Sequence, residues 1–336
     1  MKKIQFVLGL VVSAGVLYWA LKGVRWGQVA TALREANYWL LLPAIFSVAL
    51  IFACRTLRWR LLFYPLSHLR LSNLFGTLTV AYLINNTLPF QLGDLARVYL
   101  IGELEGVRKS RALLTVLVER IIDVLFLVIL ILSLALFVDI PARASLGALG
   151  LGLAFLVLSG LLVVAFLRRD WVDALLGAMP SFLPQRLRAK ANDSVHTALD
   201  GLKALSNPLR FGKVLALTVT QWLISATSLY FVMLAFDLNV GFDAAIFVLV
   251  VVSLGFLLPA MPGSIGVYHG LSIYALNTVY NVDKGEALSF ALVAHLIYYV
   301  PPIIVGLLFL WQQRLGWDRL KLLTRHTEPA AEEVSA

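Results

Sequence analysis

Long apolar runs, separated by short polar segments, dominate the pattern along the chain. A helix needs about 20 apolar residues to cross a hydrocarbon layer of about 30 Å. Six runs approach or exceed that length, and Tyr38 and Trp39 precede the shortest of them, as aromatic residues do at membrane interfaces. The runs are 4–21, 39–54, 113–138, 146–167, 213–236 and 286–311. The pattern therefore predicts an all-α polytopic membrane protein with about six full spans.

Two further apolar regions, 71–101 and 244–281, are each broken in the middle by polar residues, proline and glycine. The arms of the first are about 14 and 12 residues long, too short to span, so they predict a re-entrant helical hairpin. The second has longer arms and is either a second re-entrant hairpin or two tilted spans. Counted by apolar helical regions, the chain has eight. The expected hairpin tips are Pro89, Gly93, Pro262, Gly263 and Gly266.

Basic residues are distributed unequally among the polar segments. With the N-terminus in the cytoplasm, most of the 28 Lys and Arg residues fall on the cytoplasmic side. The outer loops instead carry acids such as Asp139 and Asp283. This is the positive-inside pattern, so we expect a bacterial inner-membrane protein with both termini cytoplasmic. We expect one transmembrane domain over 1–323 and a disordered cytoplasmic tail over 324–336.

This topology divides the chain into two halves with the same element order and opposite orientation. Residues 1–139 predict two spans, a hairpin and a span, and residues 140–312 repeat that order from the other side of the membrane. The two hairpin tips share a Pro-x-x-x-Gly spacing. Many transporters use such inverted repeats to build a site near the bilayer midplane, so the pattern predicts an inverted-topology repeat.

Composition excludes most soluble functions. The chain is 60% hydrophobic and 14% charged, far from the values of soluble domains. The net charge of +9 lies in the loops, as a topology signal does, so we expect no nucleic-acid partner. Cys54 is the single cysteine, which excludes a disulfide framework. Nucleotide-binding, zinc-binding and nucleophile-elbow motifs are absent from the sequence, so we expect no cofactor, no metal and no enzyme activity.

Charged residues at membrane depth are the first candidates for function, because each costs about 2.5–3.5 kcal/mol at a helix centre. Asp94 and Arg97 follow the first break and can pair on one helix face. Glu119 and Asp123 share a face in the run 113–138, with Arg120 beside them. These groups either line a polar pathway or form ion pairs that brace the helices. Those near the end of a helix can also extend to the interface.

Other polar groups lie near the breaks and in the last span. Asn85 and Asn86 either cap helix ends or donate to an anionic headgroup. The histidines are either satisfied core residues or proton carriers. Arg55 and Arg58 flank Trp59; they serve topology and are candidate contacts for lipid phosphate. The remaining substrate-pathway candidates are Asn85, Asn86, Ser264, Tyr268, His269, His295 and Tyr298.

Four ordered motifs resemble the flippase-like family, the transmembrane region of lysylphosphatidylglycerol synthase, also called multiple peptide resistance factor. The resemblance covers nearly the whole chain. It implies a lipid-handling inner-membrane protein with Asp94, Arg97, Glu119 and Arg120 in the translocation region. The motifs are Arg55-x-x-Arg58-Trp59, Asn86-x-Leu88-Pro89-x-x-x-Gly93-Asp94-x-x-Arg97, Glu119-Arg120-x-x-Asp123 and Pro262-Gly263-Ser264-Ile265-Gly266-Val267-Tyr268.

The chain departs from this family's pattern in two respects. Lysyl-transferring members carry a soluble catalytic domain after the membrane region, and this sequence ends at Ala336, so we expect no aminoacyl transfer. The family's last motif often has an acid where this chain has His269, and a second glycine where it has Ser264. If that acid sets headgroup preference, the substrate of this chain would differ.

Three functional hypotheses follow. The first is translocation of a phospholipid or lipid-linked intermediate, with the headgroup between the hairpin tips; lacking an ATP motif, transport would be passive or ion-coupled. The second is a membrane scaffold or accessory subunit of a lipid-modifying enzyme. The third is transport of a small solute or ion, which an inverted repeat serves equally well.

Overall fold

A computed structural model describes residues 13–66, 68–87, 92–134, 207–256 and 262–313. These residues form helices and turns, with no β-strand among them, which confirms the all-α prediction for this part of the chain. The helices are α1 (13–21), α2 (Trp26–Glu35), α3 (Leu41–Leu62), α4 (Leu71–Thr87), α5 (Gly93–Glu105), α6 (Lys109–Leu134), α7 (Pro208–Ala235), α8 (Phe242–Gly255), α9 (Ile265–Tyr274) and α10 (Lys284–Gln312).

Three helices in the described ranges are long and apolar enough to cross a membrane. They are α3 with its preceding 3₁₀ turn (Tyr38–Leu62), α7 and α10, which have 25, 28 and 29 residues. At about 1.5 Å per residue, each exceeds the thickness of the hydrocarbon layer. They cover the predicted runs 39–54, 213–236 and 286–311 to within one residue. Large apolar side chains such as Trp39 and Trp311 are exposed near their ends, where interfacial aromatic residues anchor spans.

Residues 113–134 of the predicted run 113–138 lie in α6, which has 26 residues and carries Glu119, Arg120 and Asp123; residues 135–138 lie outside the described ones. Gly106 ends α5 in the left-handed conformation, at φ +66°, which glycine adopts without strain. After this turn the helix α6 starts at Lys109, four residues before the apolar run begins at Leu113. The predicted span at 146–167, the first residues of the run 4–21, and the tail 324–336 lie outside the described residues.

Each broken region forms two short helices. The first break separates α4 and α5, of 17 and 13 residues, and the second separates α8 and α9, of 14 and 10 residues. A 3₁₀ turn, Pro262–Ser264, leads into α9, and a π-helical turn, Ala275–Val279, follows it. None of the four α-helices reaches the length of about 20 residues that a full span needs.

The apolar core lies where α3, α7, α8 and α10 meet. Small residues such as Ala44, Ala245 and Ala291 are fully buried there, which lets the helix backbones approach closely. The most extensive packing between helices is that of α3 against α7 and of α10 against α4. Because α4 packs on α10 and also on the Pro262–Ser264 turn, the two broken regions are in contact.

Candidate functional site

Arg58, on α3, is the centre of a buried charge cluster. Its side chain is 0% exposed, and it donates to both carboxylate oxygens of Asp123, at 2.5 and 2.9 Å. It also donates to Glu119 Oε1 at 2.9 Å and to Thr218 Oγ1 at 3.1 Å. Glu119 and Asp123 are one turn apart on α6, so both carboxylates face α3, as their spacing predicted.

Glu119 bridges two arginines. Its Oε2 accepts from Arg97 Nη2 of α5 at 2.8 Å, while its Oε1 accepts from Arg58. The Arg97 guanidinium also lies over the Trp59 ring, 4.8 Å from its centroid, in cation–π geometry. Trp59 in turn donates to Thr115 Oγ1 of α6 at 2.9 Å. The predicted ion-pair residues of α5 and α6 are therefore joined through a tryptophan and an arginine of α3.

The helix α7 completes the shell around Asp123. Gln221 Nε2 and Trp222 Nε1 approach its Oδ1 at 3.3 and 3.4 Å. Burying a charge is costly unless it is paired and hydrogen-bonded. These donors satisfy that requirement and tie α3, α5, α6 and α7 together. Thr218 and Gln221 were not among the predicted site residues, although a polar residue within the apolar run 213–236 is itself a signal.

Asp94 and Arg120 form the open side of the cluster. Arg120 donates through Nε and Nη2 to Asp94 Oδ2, at 3.0 and 2.7 Å. The Arg120 side chain is 48% exposed, against 4% for Glu119. The pairing expected between Asp94 and Arg97 is present but long, at 3.7 Å. Arg97 lies on the buried face of α5 beside Glu119, which leaves Arg120 as the main partner of Asp94.

Arg55 lies one turn before Arg58 but has a different environment. Its guanidinium donates to the Tyr82 hydroxyl of α4 and lies over that ring, 5.3 Å from the centroid. It forms no ion pair with a carboxylate in the described part of the chain. Arg55 and Arg58 were predicted together as contacts for lipid phosphate; the structure separates them, because Arg58 is fully buried and occupied by carboxylates.

The cluster therefore has unequal numbers of charges. Its guanidinium groups are Arg55, Arg58, Arg97 and Arg120, and its carboxylates are Asp94, Glu119 and Asp123. Among the residues that the structure describes, four positive charges face three negative ones, and each of these three carboxylates is bonded to an arginine other than Arg55. The excess positive charge is thus located at Arg55.

At the first break, α4 and α5 are held close together. Asn85 Oδ1 accepts from the Gly93 backbone N–H at 2.7 Å, which is the capping role among the two predicted for Asn85. A Cβ atom on Gly93 would collide with the backbone carbonyl of Ala81. The Asn86 carbonyl accepts from the Tyr299 hydroxyl of α10 at 3.1 Å. Pro89 lies outside the described residues.

Beside the second break, four aromatic rings form a cluster. Three belong to predicted candidates, Tyr268, His269 and His295, and the fourth is that of Tyr299. Tyr268 of α9 stacks on His295 of α10, with ring centroids 4.6 Å apart and planes at 17°. His269 meets His295 at 5.0 Å, and Tyr299 meets it at 5.3 Å, both with rings nearly perpendicular. The structure therefore brings together candidates that are 26 residues apart in the sequence.

The other candidates near this break have backbone or packing contacts. Gly263 and Ser264 adopt positive φ values of 72° and 51°. Gly266 packs against the backbone of Ser13 in α1. Tyr298 donates from its hydroxyl to the Ser225 carbonyl of α7 at 2.9 Å. The side chain of Pro262 lies outside the described residues. In the described segments, no group of three or more His, Cys, Asp or Glu side chains is placed to hold a metal ion.

Comparisons with known proteins agree on a membrane family. The family model described as the lysylphosphatidylglycerol synthase TM region matches residues 6–306. A UPF0104 membrane protein of Methanothermobacter thermautotrophicus is 25% identical over 268 residues, which cover 74% of this chain and 78% of the relative. A UPF0104 membrane protein of Methanocaldococcus jannaschii is 25% identical over 228 residues, covering 66% of this chain and 91% of the relative.

Proposed function

Because this membrane-embedded, helical chain belongs to the lysylphosphatidylglycerol synthase transmembrane-region family, we propose that it translocates a phospholipid or lipid-linked intermediate across the bacterial inner membrane. In this proposal the headgroup passes between the tips of the two broken regions, while the acyl chains stay in the bilayer. The broken regions act as re-entrant hairpins within an inverted-topology repeat of about six spans. Both termini are cytoplasmic, as the distribution of basic residues predicts.

The excess positive charge at Arg55 carries the proposal. An arginine at membrane depth is costly unless an anion pairs with it, and the carboxylates of the cluster are already occupied. A phosphate-bearing headgroup supplies that anion. Guanidinium groups bind phosphate through two parallel hydrogen bonds, which adds geometric specificity to the charge attraction.

The position of Arg55 supports the same pathway. Its partner Tyr82 lies on α4, the helix whose last turn contains Asn86. The Asn86 carbonyl is bonded to Tyr299, which contacts the second broken region through His295. A headgroup that replaces Tyr82 as the partner of Arg55 would release a contact of α4, and α4 is the helix that also contacts the second broken region through Asn86 and Tyr299. The open pair of Asp94 and Arg120 offers a polar entry on the other side of the cluster.

A second candidate function is a membrane scaffold or accessory subunit of a lipid-modifying enzyme. The observation that favours it is the mutual pairing of Arg58, Glu119 and Asp123, whose hydrogen bonds go to one another and to α5 and α7. Such a network braces four helices without any ligand. The two functions differ in the role they give to Arg55, since bracing does not require a guanidinium without a carboxylate partner.

The test is lipid flipping by the purified protein in liposomes. Acyl-labelled fluorescent phosphatidylglycerol and phosphatidylcholine would be compared, with dithionite quenching to follow movement between leaflets. The Arg55→Gln variant removes the excess charge, and Arg34→Gln, at an exposed arginine of α2, is the matched control. A hydrogen bond to a charged group contributes about 1.5–3 kcal/mol. We therefore expect the Arg55→Gln variant to lose about ten- to hundredfold in rate, and the control to lose none.

A lipid screen by thermal unfolding provides a second measurement. A lipid that binds the folded state stabilises it by mass action. We expect anionic lipids to raise the unfolding temperature of the wild type, and Arg55→Gln to remove that increase. If wild-type liposomes flip no more lipid than empty ones, and no lipid class stabilises the protein selectively, the translocase proposal is wrong and the scaffold is favoured.

A further inference from the structure

Two imidazole rings meet between the second broken region and α10. His269 is buried at 5% exposure, and His295 is half-buried, with ring centroids 5.0 Å apart. Histidine is the side chain whose ordinary charge change falls between pH 5 and 8. Ionisable groups at membrane depth are uncommon and mark ion and proton pathways more often than structural sites. The pair therefore differs from the apolar and aromatic side chains that surround it on α8 and α9.

One nitrogen of the His269 ring is bonded to the backbone. His269 Nδ1 donates to the Ile265 carbonyl of its own helix, so this nitrogen carries the hydrogen. A neutral imidazole with one nitrogen donating has the other nitrogen as an acceptor. His269 can thus take up a proton on Nε2 without breaking its existing hydrogen bond, and a neutral His295 likewise has one acceptor nitrogen.

The neighbouring rings favour a single added proton. The face of Tyr268 stacks on His295, which stabilises an imidazolium by cation–π attraction. Two imidazolium groups at this separation would repel each other strongly away from water. Neither histidine forms an ion pair with a carboxylate in the ranges that the structure describes. The pair is therefore suited to hold one proton, shared between two positions.

In the described residues, the titratable and charged groups on the elements around the pair include tyrosines, one arginine and one aspartate. The tyrosines on α9 and α10 include Tyr268, Tyr298 and Tyr299. Arg55 of α3 is bonded to Tyr82 of α4. Asp243, in the first turn of α8 and so at the end of that helix opposite the break, is bonded to Tyr280. A proton added to the pair therefore has mainly neutral tyrosine side chains as its neighbours.

We propose that His269 and His295 form a proton-binding site and that a proton is the ion coupled to transport. The proton binds the free ring nitrogen of one histidine from one side of the membrane and leaves to the other side, with no other bond made or broken. Tyr299, one turn beyond His295, donates to the Asn86 carbonyl at the end of α4. Because the Tyr299 ring contacts the His295 ring, protonation of His295 changes the environment of the hydrogen bond between Tyr299 and Asn86, which links the two tips. This coupling rests on the proposed lipid translocation.

The proton site itself is tested without transport. The chain has five histidines, so ¹⁵N-histidine spectra of the protein in nanodiscs can be assigned with single variants. We expect the resonances lost in His269→Phe and His295→Phe to change protonation together as the pH is lowered from about 8 to about 4, because burial disfavours the charged imidazole. His68→Gln, at an exposed histidine before α4, is the matched control. If both rings stay neutral over this range, the proposal is wrong.

The coupling is tested in proteoliposomes with an imposed pH gradient. For one proton per lipid, a gradient of one pH unit changes the ratio of inward to outward flipping by up to about tenfold. We expect this dependence in the wild type and in His68→Gln. It should be absent in His295→Phe and, as a second variant that retains hydrogen bonding, in His295→Gln. Size-exclusion profiles and unfolding temperatures would identify a variant that fails to fold.

The outcomes separate the two proposals. If the wild type flips lipid at a rate independent of the gradient, proton coupling is overturned while lipid translocation stands. If the His295 variants keep the gradient dependence, the histidine pair is not the coupling site. If the wild type flips no lipid while both rings titrate, translocation and coupling both fail, and only the proton site remains.

Discussion

The two broken regions have similar sequence patterns but different interiors. The first, α4 and α5, packs against the charge cluster and contributes Asp94 and Arg97 to it. The second, α8 and α9, carries stacked tyrosine and histidine rings, and its described residues contribute no ion pair to that cluster. A shared Pro-x-x-x-Gly spacing therefore predicts where the helices break and not the chemistry beside the break.

This difference has consequences for movement. Displacing α5 would separate Arg97 from Glu119 and Asp94 from Arg120, and the first of these pairs is almost fully buried. The contacts of α9 are apolar and aromatic; Gly255 of α8, for example, packs against the Leu271 side chain. Side-chain contacts of this type can rearrange at a low cost, whereas a buried ion pair cannot separate without exposing charge. We expect the second region to be the more adaptable one.

The largest effect is expected at Glu119. Replacing it with glutamine leaves Arg58 and Arg97 facing one remaining buried carboxylate, Asp123. Removing one partner of a buried ion pair costs about 3–5 kcal/mol. We expect Glu119→Gln to lower the free energy of unfolding by that amount, measured by denaturant titration in detergent. The control is Glu103→Gln, whose exposed pair with Lys109 should contribute less than about 1 kcal/mol.

An equal effect of the Glu119 and Glu103 variants would contradict the comparison. It would mean that the cluster is open to water, so that the remaining arginines are solvated when Glu119 is lost. In that case the first region would be no more rigid than the second.

Glycine substitutions compare the packing of the two regions directly. At Gly93 an added Cβ meets the Ala81 backbone carbonyl, which cannot move without shifting α4. At Gly255 it meets the end of the Leu271 side chain, which can change rotamer. Overpacking costs about 1–3 kcal/mol, so we expect Gly93→Ala to destabilise by that amount and Gly255→Ala by less. Thermal unfolding of both variants in one detergent provides the measurement.

Gly212→Ala is the control for this pair. Gly212 is a helical residue of α7 with no atom within 4 Å of the added Cβ. Alanine is the better helix former, so this variant should unfold at the same temperature or slightly higher. If Gly93→Ala behaved like Gly212→Ala, the close approach of α4 and α5 would not be present in solution.

The contact between the two regions should have an intermediate effect. Tyr299→Phe removes the hydrogen bond to the Asn86 carbonyl and keeps the ring beside His295. A neutral hydrogen bond contributes about 0.5–1.5 kcal/mol, which is the expected loss in unfolding free energy. Tyr298→Phe removes a similar bond to Ser225, within the helical core. Of these two tyrosines, Tyr299 is the one bonded to the first broken region, so a larger loss of flipping in Tyr299→Phe than in Tyr298→Phe would locate movement at this contact.

The helices and the breaks could be predicted from the sequence, because both depend on local properties. Apolar runs marked α3, α7 and α10, and proline and glycine marked the ends of the short helices. The shared face of Glu119 and Asp123 followed from helical spacing alone. These features require only the periodicity of an α-helix and the cost of polar groups in lipid.

The partners of the charges could not be predicted, because they depend on how distant helices pack. Arg58 meets Asp123 across 65 positions. Arg55 and Arg58 are three residues apart and share a helix face, so no local rule distinguished the paired arginine from the unpaired one. The contact of His269 with His295 likewise requires α9 to pack on α10. The sequence indicated which charged and histidine residues lie at membrane depth. Only the tertiary structure showed which of them contact one another.

The smallest effect on stability is expected at the open pair of Asp94 and Arg120. Arg120 is 48% exposed and Asp94 23% exposed, so water replaces much of the lost interaction when Asp94 becomes asparagine. We expect Asp94→Asn to cost about 1 kcal/mol or less, near the value for exposed ion pairs. If this pair is the polar entry to the cluster, the same variant should lose a larger factor in flipping rate than its stability change explains. Unfolding and flipping would be measured on one preparation, with Glu103→Gln as the exposed-carboxylate control. Parallel small losses in both measurements would show that Asp94 braces α5, and would leave Arg55 as the cluster's remaining candidate for headgroup contact.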